Sequence, residues 1–502
     1  MCKGLVIDMI NSNNNIFLAL LILLLTTYCF GQKQFEGVVK GTIKNYANKQ
    51  IYFYRCYGDT LLFSDSLMTN EKGKFIFKYQ TDSKNLSGLF KVILKSNQFF
   101  YILYNGSPVE IQTVYNPDVF YNIAIDSLKI LISEENKQLY EFQSLQQKVN
   151  IARGWLLQMM RLYPLTDPFH KKIEDEYSKR YKAMELFVKK QSSRKSGFGR
   201  VQNLSHFIAN AFFMPVNPDW KDPDPDRNKI IIEHFFDYFN PAENFYLHTN
   251  ILPEKIEEWF TLHSGNSESL KLNENEMQQA SEIFLDKLKN GTDAHSQIFE
   301  FTLNYILKKV NKEHFDNALL YLYDLYVKTE AGDCNPSNTT FNWIREKTNT
   351  LRNIQMGSVV PDFDIDKGTL RMSSLKSNYT LLIFWASWCS HCVLVLPEIK
   401  KAVEMYNKEQ EIKKQITVVA VSLDNKMEEW QEFINKGNYS SWLNTSELKG
   451  WNGEVPKKYN VYATPTMFLL DKEKKIIGKP EDTAQLLQII DTNRNLGSID
   501  HD

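Results

Sequence analysis

The feature that most constrains this chain is an apolar run that leads directly into two closely spaced cysteines. Residues 381–385, LLIFW, form a continuous apolar segment of the kind that is buried in the middle of a sheet. Cys389 and Cys392 follow, and helical periodicity then resumes with Val393, Leu396, Ile399 and Val403. This order predicts a buried strand, a short loop and a helix that begins at the first cysteine.

The predicted helix start gives the first cysteine an unusual electrostatic environment. Unpaired backbone N–H groups and the helix dipole favour an anion at a helix N-terminus, so we expect a stabilised Cys389 thiolate and a lowered pKa. Cys392 lies one helical turn further on, close enough to form a disulfide with Cys389. Pro397 predicts a kink in the same helix.

A close cysteine pair can also be a structural disulfide or half of a zinc site. No second Cys-x-x-Cys or His-x-x-x-His follows in the sequence to complete a metal site, and Val393 stands where haem attachment needs His. Cys56 lies in a strand-like segment and is expected to be buried. Cys334 lies in a loop-like segment, and a bond between Cys56 and Cys334 is an open alternative.

The rest of the C-terminal sequence alternates strand and helix patterns. Residues 416–424 predict a second buried strand, 427–434 a helical segment, and 467–470 a further strand. Thr464 and Pro465 stand at the entrance of that last strand, where a cis peptide bond would make a tight turn. Strands that alternate with helices indicate a mixed α/β sheet.

These motifs occur in the order typical of one protein family. Over about residues 357–490 the chain resembles the TlpA/ResA-like branch of the thioredoxin superfamily, the exported thioredoxins of bacteria. The shared elements are Gly357, the segment 360–363, the segment 384–392, Pro397 and Glu398, the segment 421–424, Tyr459, the segment 464–466, and Leu470 and Asp471. The N-terminal part also resembles the small domain of unknown function that often precedes such thioredoxins.

The resemblance implies a thioredoxin fold and a role for each motif residue. Cys389 would be the attacking thiolate and Cys392 the resolving cysteine. Pro465 would be the cis-proline that faces the pair, and Thr464 before it would offer backbone groups to a client strand. Trp388 would shield the two cysteines from solvent.

Residues beside the cysteines are expected to tune the redox potential. Besides Trp388 these are Ser390 and His391, and an imidazole next to the thiolate would stabilise the reduced form and make the disulfide a stronger oxidant. The alternative for His391 is an exposed helix residue with little effect. Ile383 and Val395 stand where relatives place a carboxylate that moves protons, which leaves the direction of catalysis open.

Length and pattern together predict a multidomain chain. A chain of 502 residues is too long for one ordinary domain, and 43% hydrophobic with 24% charged residues is typical of folded globular proteins. Short alternating and aromatic runs predict a small antiparallel β domain over 35–117 with a turn at 70–73. Helical periodicity predicts an α-helical region over 127–350, and the thioredoxin-like domain would cover 353–495. The clearest helical stripes cover 142–163, 171–191, 276–288 and 315–327.

The N-terminal sequence predicts export. Residues 16–25 form an apolar run that fits the hydrophobic part of a secretory signal peptide and is too short to span a bilayer comfortably. We expect a signal peptide over residues 1–31, and hence a protein of the bacterial periplasm or cell envelope. Cleavage before Cys29 with a lipid anchor is the alternative, which the bulky Tyr28 disfavours.

The leading functional hypothesis is an exported thiol-disulfide oxidoreductase that exchanges disulfides with client proteins and needs no cofactor or metal beyond the Cys389–Cys392 pair. Its partners would be protein thiols or disulfides and an electron-transfer partner in the membrane or envelope. A net charge of -1 gives no indication of nucleic-acid binding. One alternative is a cell-envelope binding module with a mainly structural thioredoxin domain. The other is a peroxiredoxin-type peroxidase, which wants Thr or Ser where this chain has Ala386.

Overall fold

The computed structural model describes residues 35–81, 87–95, 98–119, 122–192, 204–212, 227–264, 272–293, 296–328, 339–366, 368–409 and 416–497. The chain forms two compact units, one up to Lys309 and one from Val310 onward. The predicted signal peptide and Cys334 lie outside the described residues. Among the helices within those ranges, none is both long and apolar enough to cross a membrane.

The first unit opens with eight described strands in two sheets. They are β1 (Phe35–Lys44), β2 (Gln50–Tyr57), β3 (Thr60–Met68), β4 (Lys74–Thr81), β5 (Gly88–Ile93), β6 (Phe99–Tyr104), β7 (Val109–Val114) and β8 (Lys129–Ile132). The strand orders are β4-β1-β7-β8 and β3-β2-β5-β6. The pairs are antiparallel except for β1 with β7, which are parallel. The predicted antiparallel β architecture is therefore confirmed, with one parallel pair that the sequence pattern did not indicate.

Aromatic side chains from both sheets form a common core. Phe53 of β2 and Phe77 of β4 stack with their ring centroids 3.9 Å apart, and Phe90 of β5 meets Phe77 edge-on at 5.3 Å. All three rings are buried. Because side chains alternate between the two faces of a strand, the aromatic runs in the sequence place one set of rings inside. The predicted turn at 70–73 connects β3 to β4.

The other described elements of the first unit are mainly α-helices. They are α1 (Ile123–Asp126), α2 (Glu134–Leu162), α3 (Pro168–Ser192), α4 (Leu204–Phe212), α5 (Arg227–His234), α6 (Ile251–His263), α7 (Glu274–Lys289) and α8 (Gln297–Lys312), the last of which contains the boundary between the units. The predicted stripes over 142–163, 171–191 and 276–288 fall in α2, α3 and α7. A capping box of Asn273 and Glu276 starts α7, because each side chain binds the other residue's backbone N–H.

The second unit begins with helices that lie before the predicted thioredoxin-like boundary. These are α9 (Asp316–Leu322), a π-helical turn (Tyr323–Lys328) and α10 (Asn342–Arg352), so the predicted helix over 315–327 is confirmed with a change of helix type. The strands that follow are β9 (Asp364–Asp366), β10 (Leu370–Arg371), β11 (Tyr379–Trp385), β12 (Ile416–Ser422), β13 (Leu443–Ser446), β14 (Thr466–Leu470) and β15 (Ile476–Gly478). The helices among them are α11 (Ser390–Lys408), α12 (Met427–Gly437), α13 (Glu454–Lys458) and α14 (Thr483–Gly497).

A five-stranded mixed sheet organises this unit. Its order is β13-β12-β11-β14-β15, with β11 parallel to β12 and antiparallel to β14. The central strand β11 is buried from Thr380 to its end, as its apolar sequence predicts. Because β11 and β12 are parallel, the segments that follow Trp385 and Ser422 leave the sheet at the same edge. The first of these segments carries the two cysteines.

Candidate active site

Cys389 lies where the loop after β11 enters α11. Cys389 is the N-cap residue of that helix and has an extended backbone, with φ −84° and ψ 108°. Its sulfur accepts a hydrogen bond from the backbone N–H of Cys392 at 3.1 Å. An N-cap acceptor of this kind satisfies one of the N–H groups that a helix start leaves unpaired. The prediction that the helix begins at the first cysteine is confirmed.

The Cys389 thiol has a pKa below its ordinary value. Burial, with only 8% of the residue exposed, acts to raise the pKa of Cys389. Hydrogen bonds from the Cys392 thiol, from the Thr464 side chain, and from the backbone N–H groups of Cys392 and His391 lower the pKa and together outweigh burial. Because the thiolate is the nucleophile, Cys389 is more reactive at neutral pH than a free cysteine.

The second cysteine is in the opposite state. Cys392 is fully buried in α11, and burial, followed by the hydrogen bond with Cys389, raises its pKa to about 12. Cys392 therefore keeps its proton and donates it in a hydrogen bond while Cys389 is ionised. Both residues are free cysteines. The pair can thus supply one nucleophilic sulfur and one protonated sulfur beside it.

The segment before β14 completes the surroundings of the first sulfur. The peptide bond between Thr464 and Pro465 is cis, as predicted. The Cys389 thiol donates a hydrogen bond to the carbonyl oxygen of Thr464 at 3.2 Å. The structure therefore brings together four of the predicted site residues, two cysteines from α11 and its N-cap and two residues from the strand entrance.

The three residues predicted to tune the redox potential lie at the surface around the pair. Trp388 is 52% exposed, and its ring lies 6.1 Å from that of Trp451, which is also exposed. Ser390 and His391 are exposed in the first turn of α11. The contribution of His391 to the Cys389 sulfur comes through its backbone N–H. The tuning roles of these three side chains stay predictions.

A buried carboxylate holds the loop that precedes Cys389, and sequence reasoning gave it no role. Asp424, which follows β12, is fully buried and accepts hydrogen bonds from the Ser387 backbone N–H at 3.1 Å, the Ser387 hydroxyl at 2.6 Å and the Ser422 hydroxyl at 2.6 Å. Charge-assisted hydrogen bonds are the strong ones, so this network fixes the approach to the helix. The available signal was an acidic residue directly after a buried strand parallel to β11.

Apolar residues occupy the two positions where relatives place a carboxylate. Ile383 is fully buried in β11, and Val395 is half-buried in α11. Within the described ranges, no three or more His, Cys, Asp or Glu side chains converge closely enough to hold a metal ion. The reactive groups that the described site itself supplies are its two sulfurs.

The mixed sheet, the N-cap cysteine with its buried partner, and the cis-proline opposite define a thioredoxin-like thiol-disulfide oxidoreductase domain. Residues 377–476 match the family described as thioredoxin-like. The C-terminal region of the chain is accordingly a thioredoxin-like domain, as the resemblance in the sequence implied, and the chain is a multidomain protein that contains it.

Relatives named thiol-disulfide oxidoreductases match a part of this chain. The thiol-disulfide oxidoreductase ResA of Bacillus thuringiensis is 29% identical over 140 residues, which are 27% of this chain and 76% of ResA. The sporulation thiol-disulfide oxidoreductase A of Bacillus subtilis is 30% identical over 101 residues, 20% of this chain and 58% of that protein. A solved thiol-disulfide oxidoreductase from Bacteroides fragilis is 28% identical and covers 28% of this chain and 98% of its own, with a TM-score of 0.23.

Proposed function

We propose that this protein is an exported enzyme that exchanges disulfides with client proteins through Cys389 and Cys392. The observation that carries the proposal is geometric: Cys389 is the N-cap of α11 and its sulfur accepts the backbone N–H of Cys392, which is fully buried one turn on. The pKa values follow this geometry, since that of Cys389 is lowered and that of Cys392 is raised to about 12. The Cys389 thiolate at the helix start attacks the client disulfide, while the buried Cys392 thiol stays protonated. Structural cysteines in a core have no need of this asymmetry.

The exchange proceeds in two balanced steps. The Cys389 thiolate attacks one sulfur of a client disulfide, a mixed disulfide forms, and the other client sulfur leaves as a thiolate that takes up a proton. Cys392 then loses its proton, attacks Cys389 and releases the second client sulfur. The client is reduced by two electrons, and the domain is left with a Cys389–Cys392 disulfide. No bound cofactor or metal takes part.

The same steps run in reverse when the domain is oxidised and the client is a dithiol. Net direction is set by the potential of the pair relative to its partners, about 1.4 kcal/mol for each 30 mV. A stabilised Cys389 thiolate favours the reduced domain and so makes the disulfide a stronger oxidant. Ser390, His391 and Trp388 surround the exposed side of the pair and are the proposed residues that adjust this potential.

The client would lie against the segment before β14. The Thr464 carbonyl lies within hydrogen-bonding distance of the Cys389 sulfur, so a backbone placed along Thr464 and Pro465 would bring its own cysteine to the attacking atom. Backbone pairing of this kind gives affinity without demanding one client sequence. Protein thiols and disulfides are therefore the proposed substrates.

Two arguments support the export of this protein. The apolar run over 16–25 fits a signal peptide, and client disulfides persist in the oxidising compartments outside the cytoplasm. In the periplasm or cell envelope, regeneration of the pair would require an electron-transfer partner in the membrane or envelope. Fractionation of cells that produce the full chain tests this part of the proposal: the protein should appear in the envelope or periplasmic fraction. Recovery in the cytoplasm alone would contradict it.

The enzymatic proposal is tested with reduction of insulin disulfides by the full chain in the presence of dithiothreitol. Cys389→Ser should abolish the catalysed rate, whereas Cys56→Ala, which removes a buried cysteine of β2, should leave the rate unchanged. When dithiothreitol is left out, Cys392→Ser should accumulate a mixed disulfide with its client, because the resolving sulfur is missing. Equal rates for Cys389→Ser and the unmodified chain would overturn the proposal and favour the binding-module alternative.

A further inference from the structure

The loop that carries Thr464 is anchored by helices that lie before the predicted start of the thioredoxin-like domain. Asn460 receives a hydrogen bond on its side-chain oxygen from the Lys347 ammonium of α10 at 2.5 Å. Its side-chain amide donates to a carboxylate oxygen of Asp316, the first residue of α9, at 3.0 Å. Asn460 also adopts a left-handed backbone, with φ 50°, so this loop holds a conformation that most residues avoid.

A second contact, made by the turn before α9, lies two residues further along the loop. The ring of Tyr462 stacks on the imidazole of His314, with centroids 3.7 Å apart and planes 8° from parallel. His314 stands in the turn before α9. One face of the Tyr462 ring is covered by this stack, and the residue is nevertheless 51% exposed. Two residues later, Thr464 contacts the Cys389 sulfur.

The two helices are themselves firmly seated, which lets them act as a support. Apolar residues of α9, including Ala318, Leu319 and Leu322, are fully buried. In α10, Ile344 is fully buried, and Arg352 forms an ion pair with Asp324 of the π-helical turn. A loop held at two points by rigid elements loses less conformational entropy when a ligand binds.

We propose that Asp316, Lys347 and His314 are positioning residues that hold the loop 460–464 ready for a client polypeptide, and that the exposed side of Tyr462 contacts the client chain beside its disulfide. This inference rests on the proposed function. It assigns α9 and α10, which belong to the second unit, to the redox machinery and not to the helices of the first unit. The partner is an extended polypeptide with an apolar or aromatic side chain near its cysteine.

The test compares two substrates for the full chain, insulin and a small aromatic disulfide that is too short to reach Tyr462. Tyr462→Ala removes the ring, and Asp316→Ala removes the acceptor that orients Asn460. We expect kcat/KM for insulin to fall about 2- to 10-fold in each variant, mainly through KM, since one aromatic contact or one hydrogen bond is lost. The rate with the small disulfide and the pH profile of Cys389 alkylation should stay as in the unmodified chain.

Conservative variants separate positioning from general stability. Tyr462→Phe keeps the stacked ring and Asp316→Asn keeps an oxygen that accepts from Asn460, so both should restore most of the insulin activity. Glu346→Gln, a change at an exposed neighbour of Lys347 in α10, should have no effect. Equal losses with both substrates, or an unchanged KM for insulin in Tyr462→Ala and Asp316→Ala, would overturn the inference alone. An unmodified chain without insulin reductase activity would overturn the proposed function, and this inference with it.

Discussion

Replacement of Asp424 by Ala should make the thioredoxin-like domain open much more often. A change at an exposed carboxylate should have far less effect on this opening. The buried carboxylate accepts three donors, the N–H and hydroxyl of Ser387 and the hydroxyl of Ser422. A buried group that loses its partner costs about 1–3 kcal/mol, and a hydrogen bond to a charged group contributes about 1.5–3 kcal/mol. We count the lost hydrogen bond of the Ser387 N–H in full. The two lost hydroxyl hydrogen bonds are counted at the low end of their range, because the hydroxyls can rotate towards other acceptors. Together these losses lower the free energy of opening by about 3–5 kcal/mol.

The second cysteine supplies a probe of this domain alone. Cys392 is fully buried, so a thiol reagent labels it only when the structure around it opens. In a Cys389→Ser background, Asp424→Ala should label Cys392 more than about 100-fold faster, at 1.4 kcal/mol for each factor of ten. Mass spectrometry of the Cys392 peptide distinguishes this labelling from labelling at other cysteines.

Two further variants bracket the result. Asp424→Asn keeps one of the two acceptor oxygens and should label at an intermediate rate, while Asp491→Asn, at an exposed position of α14, should label like the Cys389→Ser chain with Asp424 intact. Labelling of Asp424→Ala within about threefold of the reference would mean that the network contributes less than about 0.7 kcal/mol. That result would refute the view that Asp424 holds the loop before Cys389.

Alkylation of Cys389 should accelerate with pH around a midpoint below that of free cysteine, because hydrogen bonds to the thiolate outweigh burial; a midpoint at or above about 8.5 would contradict this. Trp388→Ala should speed the same alkylation severalfold if the half-exposed indole shields the sulfur, and an unchanged rate would show that it does not. Gly73→Ala should destabilise the β sheets by more than about 2 kcal/mol in urea unfolding. Gly73 has φ 70° and an added Cβ would lie 2.2 Å from the Ile43 carbonyl oxygen. Gly106→Ala, with φ 84° and open space around it, is the control and should cost less.

The parts of the fold that the sequence predicted are those encoded locally. The apolar run of β11 and the three- and four-residue spacing of α11 are properties of consecutive residues, and together they fixed the N-cap position of Cys389. The capping of the helix start then contributes to the lowered pKa of Cys389, although the distant Thr464 contributes as well. Local patterns of this kind are sufficient for the attacking cysteine.

The parts that could not be predicted depend on residues far apart in the chain. The parallel pairing of β1 with β7 joins segments with several strands between them. Ser387 and Asp424 belong to segments that only the parallel pairing of β11 with β12 brings to one edge. The hydrogen bond between Asp316 and Asn460 spans an even longer separation and crosses the predicted domain boundary. Periodicity carries no information on such pairs, since it reports only which face of an element is buried.

The groups that contact the Cys389 sulfur determine which substitutions can change its pKa. The Cys389 sulfur is contacted by the Cys392 thiol and the Thr464 side chain, and by backbone groups, namely the N–H groups of residues 391 and 392 and the carbonyl of Thr464. Side chains at 390 and 391 project from the exposed first turn of α11 and can change the field at the sulfur while those donors remain. Apart from changes at Cys392 and Thr464 themselves, large changes in the pKa of Cys389 therefore require displacement of the backbone, and Asp424 holds the backbone of the loop before Cys389. Variation at Ser390 and His391 should therefore act as fine adjustment of the pKa of Cys389, whereas loss of Asp424 should disturb the pair itself.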